Sequence, residues 1–430
     1  MVQPKSAAAV SLASRKTVSM DGQGLTSTQG ARQIIDAISS RRAVTSLILS
    51  HNNLGDDGCE ELFQFLCTEK GTKHKIVDIR LFSNHIGDRG LSSIGSYLHR
   101  NTTLKDLLIQ NVCAIPITLS HAYTTIPQNN FTGDEQATLA FTQALNDSRL
   151  EILALSTNHY NLNSFARVFF GALESSALRE VQLSTSGLTY DCIPSIVSYL
   201  TSPRCHLQSL RLNGNQLGKR GVVALIENIE LANYSLLKLD IFSNAVEPGP
   251  AEDEDDGGLQ PDTLIKLQAR LRAVTDRNGR LKRATERDAF ALLRHSRAVL
   301  LHSIAPRPDN TRYIPRLPIE IQLYILSFFA PTLSSAQRIR IFNYASNPAT
   351  LPQLLPPLKS SACVPDPSGF AFGNGGGLGI DFGLGKKSSL CSNGRCLGAG
   401  NSVVCRRESE RLKYLTEVRC NFYEPEGRDS

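Results

Sequence analysis

The chain has 430 residues, 41% of them apolar, with 46 Lys and Arg against 40 Asp and Glu and a formal net charge of +6. That is enough apolar chain for a sizeable core and two or three domains, while no apolar run reaches the roughly 20 residues a membrane helix needs. Ten Cys without a secretory leader read as reduced thiols, so a cytoplasmic or nuclear protein is expected, with no membrane partner.

Residues 1–14 read as a disordered lead-in. From Arg15 to Val246 one spacing governs: apolar, two residues, apolar, one residue, apolar, two residues, then Asn. It runs Val44, Leu47, Leu49, Asn52, then Ile76, Ile79, Leu81, Asn84. It returns at Leu150, Leu153, Leu155, Asn158, at Leu207, Leu210, Leu212, Asn215, and at Leu236, Leu239, Ile241, Asn244. Two copies end differently: Leu104, Leu107, Ile109 on Val112, and Leu178, Val181, Leu183 on Ser186. Arg15, Val18, Met20 and Gln23 fill the same slots one period earlier and predict a capping repeat. Such a spacing predicts a turn into a short strand with alternate residues inward, and the Asn amide can satisfy the turn's buried backbone groups. Helical spacing follows each strand, as in Leu62, Phe65 and Leu66. A strand–helix unit of this size cannot cover its own apolar side, so the copies must stack. The repeats resemble the ribonuclease-inhibitor type of leucine-rich repeat. The expected fold is therefore an α/β solenoid, with parallel strands on the concave face, helices outside, and an α-helical C-terminal region.

On each strand the residue between the last two apolar slots should face the concave side. Among these, Arg80, Gln182, Arg211 and Asp240, with Phe82 and Phe242 just beyond, are the candidate contacts for a protein target. The stretch 112–130, with Pro116 and Pro127, reads as an insertion loop.

Residues 247–260 form an acidic, breaker-rich linker containing Glu252 to Asp256. A basic helical segment, 261–303, follows; Asn278-Gly279 is expected to break it into two helices. Its ten Lys and Arg against four acids read as solvated faces attracted to the linker, making nucleic acid an unlikely partner by sequence.

Residues 312–358 contain Leu317-Pro318-Ile319-Glu320-Ile321, with Ile325, Phe328 and Phe329 at helical spacing behind a Pro suited to a helix start. This stretch resembles the opening of an F-box, and with the repeats the chain resembles fungal-type ribonuclease-inhibitor-like F-box proteins. The resemblance implies that Leu317, Pro318, Glu320, Ile321, Ile325 and Phe328 contact the adaptor of a cullin–RING (SCF-type) ubiquitin ligase, while the repeats hold a substrate. Here the motif follows the repeats, and the family's later Trp-containing element is missing, since the chain has no Trp.

Residues 359–390 are Gly-rich, and 391–430 carry Cys391, Cys396, Cys405 and Cys420 with a short helix from Arg406 to Cys420. Four thiolates could hold zinc, the one cofactor considered, although no Cys-x-x-Cys knuckle is present. No nucleophile–base constellation or phosphate loop occurs, so the chain is not expected to be an enzyme. The repeats and the acidic stretch also resemble the Ran GTPase-activating proteins, which gives GTPase regulation as the alternative to a ligase receptor or a plain interaction scaffold.

Overall fold

A computed structural model describes residues 16–110, 131–157, 162–244, 261–301, 318–351 and 403–427. They fall into two compact units, Lys16–Asn278 and the chain from Gly279 onward.

The first unit is a solenoid. Eight three-residue strands, β1 (Thr17–Ser19), β2 (Ser46–Ile48), β3 (Asp78–Arg80), β4 (Asp106–Leu108), β5 (Ile152–Ala154), β6 (Glu180–Gln182), β7 (Ser209–Arg211) and β8 (Lys238–Asp240), form one sheet in sequence order. All seven pairings are parallel and in matching register, so Val18, Leu47, Ile79, Leu107, Leu153, Val181, Leu210 and Leu239 make one continuous inward row. The helices that return the chain are α1 (Ser27–Ser39), α2 (Gly55–Cys67), α3 (Glu69–Thr72), α4 (Asp88–Leu98), α5 (Glu135–Asn146), α6 (Asn163–Ala172), α7 (Ile193–Thr201) and α8 (Gly218–Ala232). Their apolar faces, including Leu62, Ile94, Phe141, Phe169, Ile196 and Leu225, close a single core against the strand row.

The repeat Asn residues hold the turns. The Asn52 amide donates to the carbonyls of Leu49, Ser50 and Met20, and its oxygen accepts from Leu25 and Gln23 N–H. Asn215 does the same between Leu183, Leu212, Ser186 and Leu188. Each side chain thus bonds its own turn and the turn before it, which couples neighbouring repeats. Where Ser186 replaces Asn, its hydroxyl reaches the Leu155 and Ser184 carbonyls at 3.5 and 3.2 Å and donates nothing further. The residue just before the Asn takes a left-handed conformation in His51, Ser83 and Ser243, and Gly214 holds that place in the seventh repeat. Non-Gly residues there cost roughly 1–2 kcal/mol each, and the Asn bonds on either side offset it. The Asn158 and Val112 slots lie outside the described residues.

The helix α9 (Pro261–Leu300) differs from expectation. It is one element of 40 residues, with no break at Asn278-Gly279. Propensity loses here to tertiary bonding. Asn278 is fully buried and its amide donates to the Leu236 carbonyl rather than to a turn of its own backbone. Arg277 donates to the Glu230 and Asn233 carbonyls, and Arg270 pairs with Glu230 at the helix surface. Leu267, Leu271 and Val274 pack on the apolar side of the last repeat, with Val222, Ile226 and Ile241. The first part of α9 is therefore the solenoid's C-terminal cap, which an array needs because its last repeat otherwise exposes its core. The segment read as one basic unit is divided between the two bodies.

The second unit begins at Gly279 and is helical. It contains the rest of α9, α10 (Ile319–Ser327), α11 (Ser335–Ser346) and α12 (Val403–Glu417). Its core joins Ala289 and Leu292 to Leu326, Ala330, Leu333, Ile341, Tyr414, Leu415, Val418 and Cys420. Long-range hydrogen bonds fix it: Tyr414 Oη donates to the Ala289 carbonyl, the Thr332 N–H and hydroxyl donate to Asp288, and Gln337 Nε2 donates to the Arg419 and Phe422 carbonyls. A capping box between Ser334 and Gln337 starts α11. The F-box-like stretch and the Cys-containing C-terminus thus share one core, where the sequence suggested separate segments. Among the described residues no helix is long and apolar enough to cross a membrane.

Candidate functional site

The concave face is built by the outward residues of each strand. Arg80 lies beside Asp78 with Nε 3.2 Å from its carboxylate, and the Ser46 hydroxyl donates to the same acid. Further along, the face carries a connected polar chain. Gln110, two residues past β4, donates to Gln182 of β6 at 2.9 Å, and Gln182 donates to Glu180 at 2.7 Å. Arg211 sits 3.2 Å from Glu180 and 3.7 Å from Asp240, and Lys238 closes the series 2.9 Å from Asp240. Glu180 is only 2% exposed, so its charge depends on this company.

This arrangement changes the reading of the candidate residues. Gln182, Arg211 and Asp240 are tied to one another through Glu180, and Arg80 is tied to Asp78. Neither concave arginine extends free toward a partner. Phe82, expected to be exposed, is 8% exposed and packed away, whereas Phe242 in the same Phe-Ser-Asn context is 53% exposed. The two differ in position: Phe82 follows β3, inside the sheet between β2 and β4, while Phe242 follows β8, the last strand.

The second candidate surface lies on α10. Pro318 stands at the helix N-cap with extended backbone, one place earlier than the first helical position expected for it. The helix buries Leu326, and Leu323 packs partly against the same core. The opposite side shows Ile321, Tyr324 (64% exposed), Ile325 and Phe328 (66% exposed) to solvent, with Tyr324 and Phe328 ring edge to face at 5.0 Å. Glu320 is exposed in the first turn, where its charge favours the helix dipole. Phe329 stacks on His295, with ring centroids 4.2 Å apart, and so takes part of its cover from within the unit. Leu317 lies outside the described residues. A helix with large apolar side chains on two opposite faces, one of them uncovered, is the feature the sequence spacing could not resolve.

The proposed metal ligands do not come together in what is described. Cys391 and Cys396 lie outside the described residues, and Cys405 lies in α12 with its side chain likewise outside them. Cys420 is buried in the helical core, its thiol donating to the Val418 carbonyl at 3.5 Å, and burial pushes its pKa up to about 12. A thiol so placed would have to leave the core and lose its proton to bind zinc. Among the described residues no cluster of three His, Cys, Asp or Glu could hold a metal ion.

Comparison with known proteins agrees with this architecture. The sequence profile of the family described as Leucine Rich repeat matches residues 42–63, 72–95 and 205–225. The Tonsoku-like protein of Bos taurus is 27% identical over 234 residues, spanning 49% of this chain and 16% of its own length. NACHT, LRR and PYD domains-containing protein 5 of Mus musculus is 26% identical over 204 residues, spanning 47% of this chain and 16% of its own. The chain thus spans about a sixth of the length of these relatives. Among solved structures, Leiomodin-1 Actin-Binding Site 2 (ABS2) is 18% identical and covers 35% of this chain and 76% of its own, with a TM-score of 0.27, a level that carries no argument. The three profile matches fall on β2 with α2, on β3 with α4 and on β7 with α8, and the first unit is a leucine-rich repeat solenoid.

Proposed function

We propose that this chain is a protein-interaction scaffold that acts as a substrate receptor of a cullin–RING (SCF-type) ubiquitin ligase. The repeats hold a protein target and α10 holds the ligase adaptor. The reading gives the chain no chemistry of its own and no cofactor. Its contribution is proximity, because holding target and ligase on one chain turns their encounter into an intramolecular event at high effective concentration. Such work belongs in the cytoplasm or nucleus.

The observation that carries the reading is the uncovered apolar face of α10, Ile321, Tyr324, Ile325 and Phe328, on the very stretch that resembles an F-box. Burying each of these side chains in a partner would contribute about 1.5–3 kcal/mol, and a helix laid by its apolar face into a groove is a recurrent recognition mode. The Leu326 side holds the helix to its own unit, which leaves the other side available.

The test is co-purification from cells of the full chain and of an Ile321→Asp, Phe328→Asp variant. Wild-type protein is expected to bring down the adaptor and cullin, and the variant to lose both while keeping its melting temperature. Retention of adaptor by the variant, or its absence from wild type, would overturn the ligase assignment. Acceleration of GTP hydrolysis by a small GTPase on adding the full chain would favour the GTPase-regulator alternative.

A further inference from the structure

The part of α9 that belongs to the helical unit carries a row of arginines. Arg280, Arg283, Arg287 and Arg294 are all exposed. At about 3.6 residues per turn they fall within roughly 60° of one another around the helix, over about 21 Å of its axis. No acidic residue shares that sector between positions 280 and 301: Glu286 and Asp288 are both buried on other sides of the helix. Arg287 touches Asp288 with Nε at 3.2 Å yet keeps 74% of its side chain exposed. Among the described residues Arg280, Arg283 and Arg294 make no ion pair, while Lys282 and Arg411 pair with Glu286 and Arg340 pairs with Glu424. Ala284, Ala291 and Ala298 run alongside the arginines at intervals of seven, so the neighbouring strip of surface is low.

The stretches that follow α9 and α11 in sequence do not supply the missing negative charge. By sequence, 302–317 carries Arg307, Arg312 and Arg316 against Asp309, and 352–402 carries Lys359, Lys386, Lys387 and Arg395 against Asp366 and Asp381. Both stretches are net positive.

We infer that this arginine row binds the phosphate backbone of nucleic acid. The choice of arginine at all four positions suits phosphate oxygens, which the guanidinium fork grips with paired hydrogen bonds. A row on one helix beside a strip of alanines can approach a duplex closely, and a groove about 12 Å wide admits a helix. Phe290, the aromatic nearest the row, packs on Tyr414 with ring centroids 5.2 Å apart and is not free to stack on bases. The recognition is therefore of backbone charge and not of sequence.

The experiment measures binding of the full chain to a fluorescein-labelled 20-base-pair DNA duplex by anisotropy, across about 50–200 mM salt. Each duplex phosphate contacted should add about 0.9 to the steepness of log K against log salt. An Arg283→Gln, Arg294→Gln variant is expected to lose about two such contacts in slope and about tenfold or more in affinity at low salt, with an unchanged melting temperature. A Lys70→Gln, Lys75→Gln variant removes equal charge from exposed positions on the solenoid and is expected to bind as wild type does. Absence of salt-dependent duplex binding, or equal losses from both variants, would overturn the inference. Polyglutamate displacing the duplex at equal charge concentration would do so as well, by assigning the row to an acidic protein.

Discussion

The side-chain amide of Asn278 donates a 2.9 Å hydrogen bond to the main-chain carbonyl of Leu236, 42 positions earlier in the chain, and is wholly buried in doing so. That bond joins the cap helix to the entry of the last strand. An Asn-Gly pair, which locally favours a turn, is thereby carried through the middle of a long helix. Replacing Asn278 by Ala leaves the Leu236 carbonyl without this donor, and urea unfolding is expected to show a loss of about 1–3 kcal/mol. Ala is the better helix former, so a rise in stability would show that local propensity, not the bond, governs the site.

Leu210 and Arg211 adjoin on β7 but serve different neighbours. Leu210 is fully buried in the inward row, and Leu210→Ala is expected to cost about 2–5 kcal/mol. From spacing alone Arg211 would count as a surface residue of little weight. Its ion pair with the buried Glu180 changes that, and Arg211→Ala is expected to cost about 1–3 kcal/mol by removing the cation that offsets a buried carboxylate. Adding Glu180→Gln to Arg211→Ala should restore part of the loss. Chemical denaturation of the three variants checks it; no recovery in the double variant would mean that Glu180 is not the source of the cost.

The two faces of α10 should separate in stability measurements. Leu326→Ala, in the helical core, is expected to cost about 2–5 kcal/mol. Phe328→Ser and Ile325→Ser, on the uncovered face, are expected to change stability by less than about 0.5 kcal/mol. A melting temperature lowered as much by the exposed pair as by Leu326→Ala would place that face against part of this chain.

Cys420 gives the protein a pH dependence at alkaline pH. The ordinary thiol pKa is 9.0, and burial raises that of Cys420 to about 12 in the folded state. The folded chain keeps the proton that the unfolded chain releases, so this contribution to stability is complete below about pH 9 and is lost as pH rises from 9 towards 12. Cys59 and Cys192 are raised by burial in the same way and add to the trend. Native alkylation at pH 8 followed by peptide mass mapping should label exposed Cys67 and spare Cys420 until denaturant is added. Prompt labelling of Cys420 in the native protein would show its core to be open. Zinc released by Cys420→Ser from purified protein would revive a metal role for it.

The repeat array was legible because its physics is local and recurrent. Three apolar slots and an Asn per period state which side chains point inward and how each turn is satisfied, and seven copies leave one register. The helix starts and the parallel order follow from a unit that cannot bury its own apolar side. Composition likewise shows the basic surplus after Pro261 and the apolar spacing from Leu317 to Phe329.

What lay beyond the sequence was decided by contacts between distant residues. Phe82 and Phe242 share one local context, yet one is buried within the array and the other is exposed at the sheet's end. Asn278 belongs to a helix because Leu236 lies within reach, a fact no local window contains. The amphipathic spacing of α10 names its apolar residues without saying which ones its own unit covers. The burial of Leu326 and the exposure of Phe328 are settled only when Leu333, Ile341 and Leu415 arrive from elsewhere in the chain. Spacing along the backbone fixes what a residue can face; which neighbour occupies that space depends on long-range packing, and it is there that the candidate surfaces of this protein were decided.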